Sequence, residues 1–437
     1  MSAGFHGSSL LDSPIVSIEV IPAEAVIPGR LSDRDRADEL TRMALILALG
    51  WLGTNVALAI SEFTLKFELK DRLGIDAAGI AGFFFVGQFL NYFKPLAGVL
   101  TDGIPFFGTR RFHYLLLGVG GGGILWVALG LVPKSYGWLL STYTLFYMTV
   151  VLTSTTLGGR MVEVGTAHNA NGRLTAQRVG MFRLAVLIGG PIGGYLAGFP
   201  FILSVSISAL IHFALIPLIT RHMPEARSAR VDFSAWNSIK KQGRALAHSR
   251  TLLAAAVMVF LLAASPGFDT PLLFQQTNHL GFSKQFVGNL LLVSAFTGMV
   301  AATIYYKFCR KWRLRTLLTC SIVAHVCGTL FYLLYRDAHS AILITALEGL
   351  SGVLTMLPVY DLAARATPRG SEALGYSIMM SVWNVTNKFS DYTGALVYKH
   401  LDWSSLVYIN AGTTALMLLI IPFLPVAILN RHEGQTE

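Results

Sequence analysis

Apolar runs of a near-constant length, separated by short polar breaks, recur along the whole chain from Met43 to Leu429. A run of roughly 20 apolar residues is what a helix needs to cross the hydrocarbon core of a bilayer, and a helix there satisfies its own backbone hydrogen bonds. The pattern predicts spans at Met43 to Phe63, Ala77 to Leu100, Tyr114 to Val132, Gly137 to Leu157, Val179 to Ala197 and Phe199 to Ile219. The charged stretch Thr220 to Arg250 interrupts the series. Six more spans follow, at Thr251 to Thr270, Phe286 to Tyr306, Thr316 to Tyr335, Ser340 to Tyr360, Leu374 to Leu396 and Ser404 to Leu429. The expected fold class is an all-α polytopic membrane protein of about twelve transmembrane helices in two six-helix halves. The expected divisions are an N-terminal tail (1–42), a first half (43–219), a linker (220–250), a second half (251–429) and a C-terminal tail (430–437).

Composition agrees with the pattern: the chain is 53% hydrophobic and 13% charged, against about a quarter charged in soluble domains. The net charge of +10 does not imply a nucleic-acid partner, because the basic residues lie between apolar runs and not on a soluble domain. They act instead as topology signals. Loops and tails on the side of the N-terminus hold 24 Lys and Arg, the opposite loops seven, which predicts cytoplasmic termini and linker in a plasma (inner) membrane. The segment Met1 to Arg42 lacks the apolar core and cleavage site of a secretory signal, so the first span is expected to direct insertion. Cys309, Cys320 and Cys327 have no metal-site or disulfide spacing and read as packing residues. No cofactor or metal is implied.

Ionisable groups within the runs are costly in a bilayer and mark candidate function unless they lie near a helix end. Asn384, Lys388 and Asp391 recur at i, i+4 and i+7 and share one helical face, either lining a cavity or forming a Lys388–Asp391 pair that only fixes packing. Glu348, near the middle of the tenth run with no partner in its own helix, is the leading candidate for a proton-binding carboxylate, the alternative being a structural pairing with another helix. Asp269 follows Ser265-Pro266-Gly267, which should break the seventh span; it either lines a transport site or is solvated beyond the helix end. Lys94 and Arg183 are placed about one turn inside the linker-side ends of the second and fifth spans, where each either snorkels to the interface or serves the transport site. Glu62 reads as interfacial at the outer end of the first span, and His212 and His325 as satisfied core residues. Gly189, Gly190, Gly193 and Gly194 around Pro191 read as a close-packing patch.

The turn after the second span runs from Lys94-Pro95 through Gly98, Asp102 and Ile104-Pro105 to Gly108 and Arg110-Arg111. It resembles the cytoplasmic loop motif of major facilitator transporters and, in its longer form, the folate-biopterin transporter family within that superfamily. Met161-Val162-Glu163 resembles that family's Asp-Gly-x-x-Val-Glu element, with Gly158 in place of the Asp and Arg160 beside it. Pro368 to Ala373 resembles its Pro-x-Gly-x-Glu-Ala segment, and Pro266-Gly267 through Leu280-Gly281-Phe282-Ser283 its seventh span and following loop. The resemblance implies a secondary transporter of folates or pterins with protons, a cytoplasmic gate at Gly98, Asp102, Arg110 and Arg111, and no enzymatic activity.

Combined with the residues in the spans, this gives a candidate substrate and proton site of Lys94, Arg160, Glu163, Arg183, Asp269, Glu348, Asn384, Lys388 and Asp391. The expected partners are a small polar solute, protons and the lipid bilayer, with a monomer as the working unit. Another organic solute, or export of a drug-like compound, fits the same fold. A membrane enzyme would need clustered catalytic residues, and His168, His212, His279 and His325 lie in different segments. A receptor would not require charges in so many spans.

Overall fold

The computed structural model of the chain describes residues 33–168, 170–223, 225, 248–308, 313–366 and 372–423, with positions 241, 243, 244 and 246. Helices occupy each of the twelve apolar segments. The first half holds α1 (Asp33–Phe67), α2 (Ala77–Gly87), α3 (Lys94–Gly103), α4 (Phe112–Leu131), α5 (Tyr136–Ala167), α6 (Asn171–Leu196) and α7 (Phe201–His222). The second holds α8 (Arg250–Ala263), α9 (Asp269–Phe274), α10 (Lys284–Phe308), α11 (Leu314–Leu330), α12 (Ala338–Ala366), α13 (Glu372–His400) and α14 (Trp403–Leu416). Among the described residues seven helices, α1, α4, α6, α7, α10, α11 and α12, are long and apolar enough to cross a membrane. The second and seventh segments are each split into two shorter helices, and α5 and α13 carry charged residues within their length.

The packing repeats between the halves. α4 lies against α5 and α7, as α11 lies against α12 and α14; α1 lies against α6, as α8 lies against α13. The halves meet along α6 with α10 and along α2 with α13, an exchange of equivalent helices about a pseudo-two-fold axis. The ends of the first and seventh segments show the same duplication in atomic detail. α1 ends in a π turn, Glu68–Arg72, and α9 in another, Gln275–His279. Gly74 (φ 65°) and Gly281 (φ 64°) follow, in the left-handed conformation that favours glycine. The amides of Leu73 and Ile75 bond to Glu68 and Leu69 carbonyls; those of Leu280 and Phe282 bond to Gln275 and Gln276. Asp76 and Ser283 then cap the next helices, accepting from the amides of Gly79 and Phe286. Every one of these pairs is separated by 207 residues, as Gly74 is from Gly281.

The glycine patch packs as its spacing predicts. Gly190 and Gly194 of α6 face Gly288 of α10 so closely that a Cβ on Gly288 would meet the Gly194 Cα at 2.8 Å. Gly193 faces α1, where a Cβ would meet the Ile60 carbonyl at 3.3 Å.

Several depths differ from the sequence reading. α1 continues past Phe63 to Phe67 and the π turn, so Glu62 lies inside the helix and not at its outer end. The second segment breaks in a 3-10 stretch, Phe89–Phe93, and Lys94 opens α3. The 10 residues of α3 then span about 15 Å at 1.5 Å per residue, which sets Lys94 well inside the bundle and not one turn from its end. Arg183 sits at the middle of the 26-residue α6 for the same reason: that helix starts at Asn171, ahead of the apolar run. Cys320 and Cys327, read as packing residues, are exposed on the bundle surface; Cys309 and the segment Pro368 to Ser371 lie outside the described residues.

Candidate functional site

The seventh segment breaks where Ser265-Pro266-Gly267 predicts, because Pro266 has no N–H and Gly267 sits against α13. α13 and α14 satisfy the backbone groups freed by the break. The Gly267 amide donates to the Ser390 carbonyl at 2.7 Å, the Ser390 hydroxyl to the Ser265 carbonyl at 2.5 Å, and Asn410 Nδ2 to the Pro266 carbonyl at 2.8 Å. Asp391, buried, accepts from both the amide and the hydroxyl of Thr270, each at 2.7 Å. The carboxylate therefore holds the start of α9 in place.

A cavity of about 470 Å³ opens beside this break, lined by α1, α8 to α13 and α14. Lys66 reaches it from the first half and pairs with Asp269 at 2.8 Å. Lys66 and Lys388 both lie over the Phe84 ring, at 5.7 and 5.8 Å from its centre, within reach of cation–π attraction. Lys388 and Lys66 both attract Asp269. Glu348 enters from α12, accepting a hydrogen bond from Ser294 at 3.1 Å, with Arg183 of the first half within electrostatic reach. On α13 it is Trp383, Asn387 and Ser390 that line the cavity. The face of Asn384, Lys388 and Asp391 lies next to that one, turned toward α2 at Lys388 and toward the break at Asp391. Lys94 is close enough to Arg178, which stacks on Trp51 at 4.4 Å, for the two charges to interact.

The sequence candidates therefore separate. Asp269 and Glu348 line the cavity, with Lys388 and Arg183 within electrostatic reach of them. Asp391 anchors the break, Asn384 and Lys94 are not among the lining residues, and Arg160 and Glu163 lie at the linker end with the candidate gate residues. There Glu163 bridges Arg111 at 3.0 Å and Arg160 at 3.1 Å. Gly98 faces Thr155 of α5, and the side chain of Asp102 lies outside the described residues.

Glu225, which sequence reasoning missed, caps α4 by accepting from the amides of Arg110, Arg111 and Phe112 at 2.9, 2.8 and 3.0 Å. Burial works to raise its pKa, but these three amides and the charge of Arg160 outweigh it and hold the carboxyl below its ordinary range. A Glu225→Ala variant should lose about 1–2 kcal/mol, as for other helix caps. Because the folded pKa is lowered, that contribution is complete above the ordinary value of 4.5 and disappears as the pH falls through the folded value. Thermal unfolding in detergent should separate variant from wild type at pH 7 and bring them together in acid; a constant gap from pH 7 to 3 would refute the cap.

Two further groups were not legible. Glu62 Oε1 accepts from Gln88 at 3.1 Å, from Tyr147 at 3.1 Å and from Tyr143. The cue was Lys66 one turn on, since Glu62 and Lys66 share a helical face. His212 is satisfied, as expected, with Nδ1 at 2.9 Å from the Ser208 carbonyl. His325 is not: it lines the cavity, and its Nδ1 has no hydrogen-bond partner among the described residues. Among the described residues no cluster of three or more His, Cys, Asp or Glu could hold a metal.

Toward the end opposite the linker, ion pairs tie the halves together. Lys284 of α10 meets Asp71 at 2.6 Å and lies over the Phe67 ring, and Lys399 of α13 meets Asp76 at 2.8 Å.

The BT1 family model matches residues 55–430. The chain belongs to the BT1 family. Curated relatives bear out the folate-biopterin transporter resemblance. The folate-biopterin transporter of Synechocystis sp. is 24% identical, over 85% of this chain and 78% of its own length. Probable folate-biopterin transporter 2 of Arabidopsis thaliana is 22% identical, over 88% and 81%; folate transporter 1 of Plasmodium falciparum is 22% identical, over 85% and 75%. Among solved structures, a D-xylose–proton symporter superposes with a TM-score of 0.69 at 13% identity, covering 91% of this chain and 99% of its own. The nucleoside transporter NupG gives 0.66 at 14%, covering 87% and 98%. These likenesses establish the major facilitator fold. Family and fold make the BT1 chain an integral membrane transport protein and not an enzyme.

Proposed function

We propose that this BT1 protein carries folate or a pterin across the membrane by alternating access, coupled to protons, around the cavity at the broken helix of its second half. The observation that carries the reading is the cavity itself: it opens within the second half at a broken helix, Phe63 and Lys66 reach it from the first half, and it holds the Lys66–Asp269 pair and Glu348, in a family whose named relatives are folate and folate-biopterin transporters. The volume of about 470 Å³ is in the range of small-molecule sites. Lysines suit the carboxylates of a folate tail, and the cavity-lining Phe63, Phe268 and Tyr332 suit a flat ring.

In this mechanism Glu348 takes the coupling proton, with Asp269, Lys66, Lys388 and Arg183 setting the charge around it. Arg160, Glu163, Asp102, Arg110 and Arg111 serve the gate at the linker end. The division into tail, halves and linker at 42, 219, 250 and 429 gives two rocking bodies, with both termini cytoplasmic in a plasma (inner) membrane. The ion pairs at the far end support reading this as the state closed to the outside. One chain encloses the cavity, which supports a monomer as the working unit.

The test is uptake of labelled folate and labelled pterin into proteoliposomes, with and without an imposed proton gradient. Accumulation of either, driven by the gradient, is expected. Folded, oriented protein that accumulates neither would overturn the substrate class and leave the fold standing.

A further inference from the structure

The 207-residue offset that relates Gly74 to Gly281 also relates Glu62 to Asp269. These two carboxylates occupy equivalent places in the two halves, and their surroundings differ. Asp269 has its charge met by Lys66. Among the described residues no cation lies within ion-pair distance of Glu62, and its three hydrogen bonds, from Gln88, Tyr143 and Tyr147, all fall on Oε1. Oε2 is left as an acceptor with nothing to accept.

The three donors are buried, at 3%, 0% and 5% exposure, while Glu62 is only half-buried, and Oε2 is the oxygen that the three donors leave uncovered. Glu62 lies one helical turn from Lys66 and next to Phe63, both of which line the cavity, and so sits beside that lining without being part of it.

Resting on the transport reading above, we propose that Glu62 Oε2 is a recognition point for the hydrogen-bond-donor edge of a neutral heterocycle, the amino-pyrimidinone edge of a pterin ring. Lys66 is close enough to Glu62 to interact with its charge and offsets part of it, so the ligand need not carry a positive charge of its own. A neutral ring N–H gains a hydrogen bond to a charged acceptor. The substrate then lies with its donor edge on the first half and its acidic end toward the lysines.

A Glu62→Gln variant separates recognition from support. The amide oxygen can keep all three bonds from Gln88, Tyr143 and Tyr147, while the NH2 group replaces Oε2 and turns an acceptor into a donor. The experiment compares uptake of a pterin with that of its analogue lacking the 2-amino group, in proteoliposomes of wild type, Glu62→Gln and Tyr147→Phe. Wild type should prefer the amino compound by roughly 10- to 100-fold, as expected for one hydrogen bond to a charged group. Glu62→Gln should reduce that preference to about threefold or less, and Tyr147→Phe, which removes a supporting bond and leaves Oε2, should keep it. Equal preference in wild type and Glu62→Gln, or loss of preference in Tyr147→Phe as well, overturns the proposal alone. A wild type that takes up neither compound overturns the pterin reading and the proposal with it.

Discussion

Replacing Glu348 with glutamine should leave a protein that equilibrates its solute but no longer accumulates it. Glu348 combines the features a coupling carboxylate requires. It lines the cavity, it is held by the Ser294 hydroxyl, and Arg183 of the opposite half is close enough to interact with its charge. Glutamine preserves the size of the side chain and the bond from Ser294, and removes the charge and the proton site. A gradient of one pH unit supplies about 1.4 kcal/mol per proton, enough for about tenfold accumulation, and that factor should fall to about one in Glu348→Gln. Counterflow, which needs binding and rocking but no net proton movement, should persist. The measurement is gradient-driven uptake beside counterflow in the same vesicles. Wild-type accumulation by the variant would remove Glu348 from coupling.

Much of the architecture was legible in the chain because a bilayer makes hydrophobicity periodic and charge asymmetric. The apolar runs located the helices, and Ser265-Pro266-Gly267 located the break beside the cavity. Depth was less legible. An apolar window ends where polar residues begin, but α1 runs on past Phe63, and Glu62 just before that point and Lys66 beyond it are both bonded to other protein side chains. The polarity that appeared to close the span is part of the site. The same error applied to Lys94 and Arg183, since α3 and α6 extend toward the linker end through polar sequence. The duplication was present as Leu73-Gly74-Ile75-Asp76 and Leu280-Gly281-Phe282-Ser283, two short matches that acquire meaning once both glycines are seen at positive φ after a π turn.

The lysine and aspartate of α13 illustrate a different limit. Spacing put Asn384, Lys388 and Asp391 on one face, and that geometry holds. It did not reveal that the neighbouring face, with Trp383, Asn387 and Ser390, lines the cavity, because helical periodicity fixes which residues share a stripe and not which stripe meets water.

Asp391→Ala should be among the most destabilising single changes in the chain, while Asp391→Asn should be tolerated. Asp391 is buried and accepts two bonds from Thr270. Each hydrogen bond to a charged group contributes about 1.5–3 kcal/mol, and alanine would also leave the Thr270 amide buried without a partner. A total loss of about 2–5 kcal/mol follows from the sum of those effects, discounted because the two bonds share one acceptor group. Asparagine keeps an oxygen for the amide, and its NH2 can donate to the Thr270 hydroxyl in place of accepting from it, so its cost should stay near 1 kcal/mol. Thermal unfolding in detergent measures both. A double variant, Asp391→Ala with Thr270→Val, should lose less than the sum of its parts, since most of what Thr270 contributes passes through Asp391; strict additivity would sink the anchoring role. Transport then separates anchoring from coupling. Ser265, Gly267, Phe268 and Asp269 all line the cavity, so a carboxylate that only fixes their position can be replaced by asparagine without loss of accumulation. An Asp391→Asn protein that unfolds like wild type but fails to accumulate solute would show that Asp391 exchanges a proton during the cycle and shares the coupling role with Glu348.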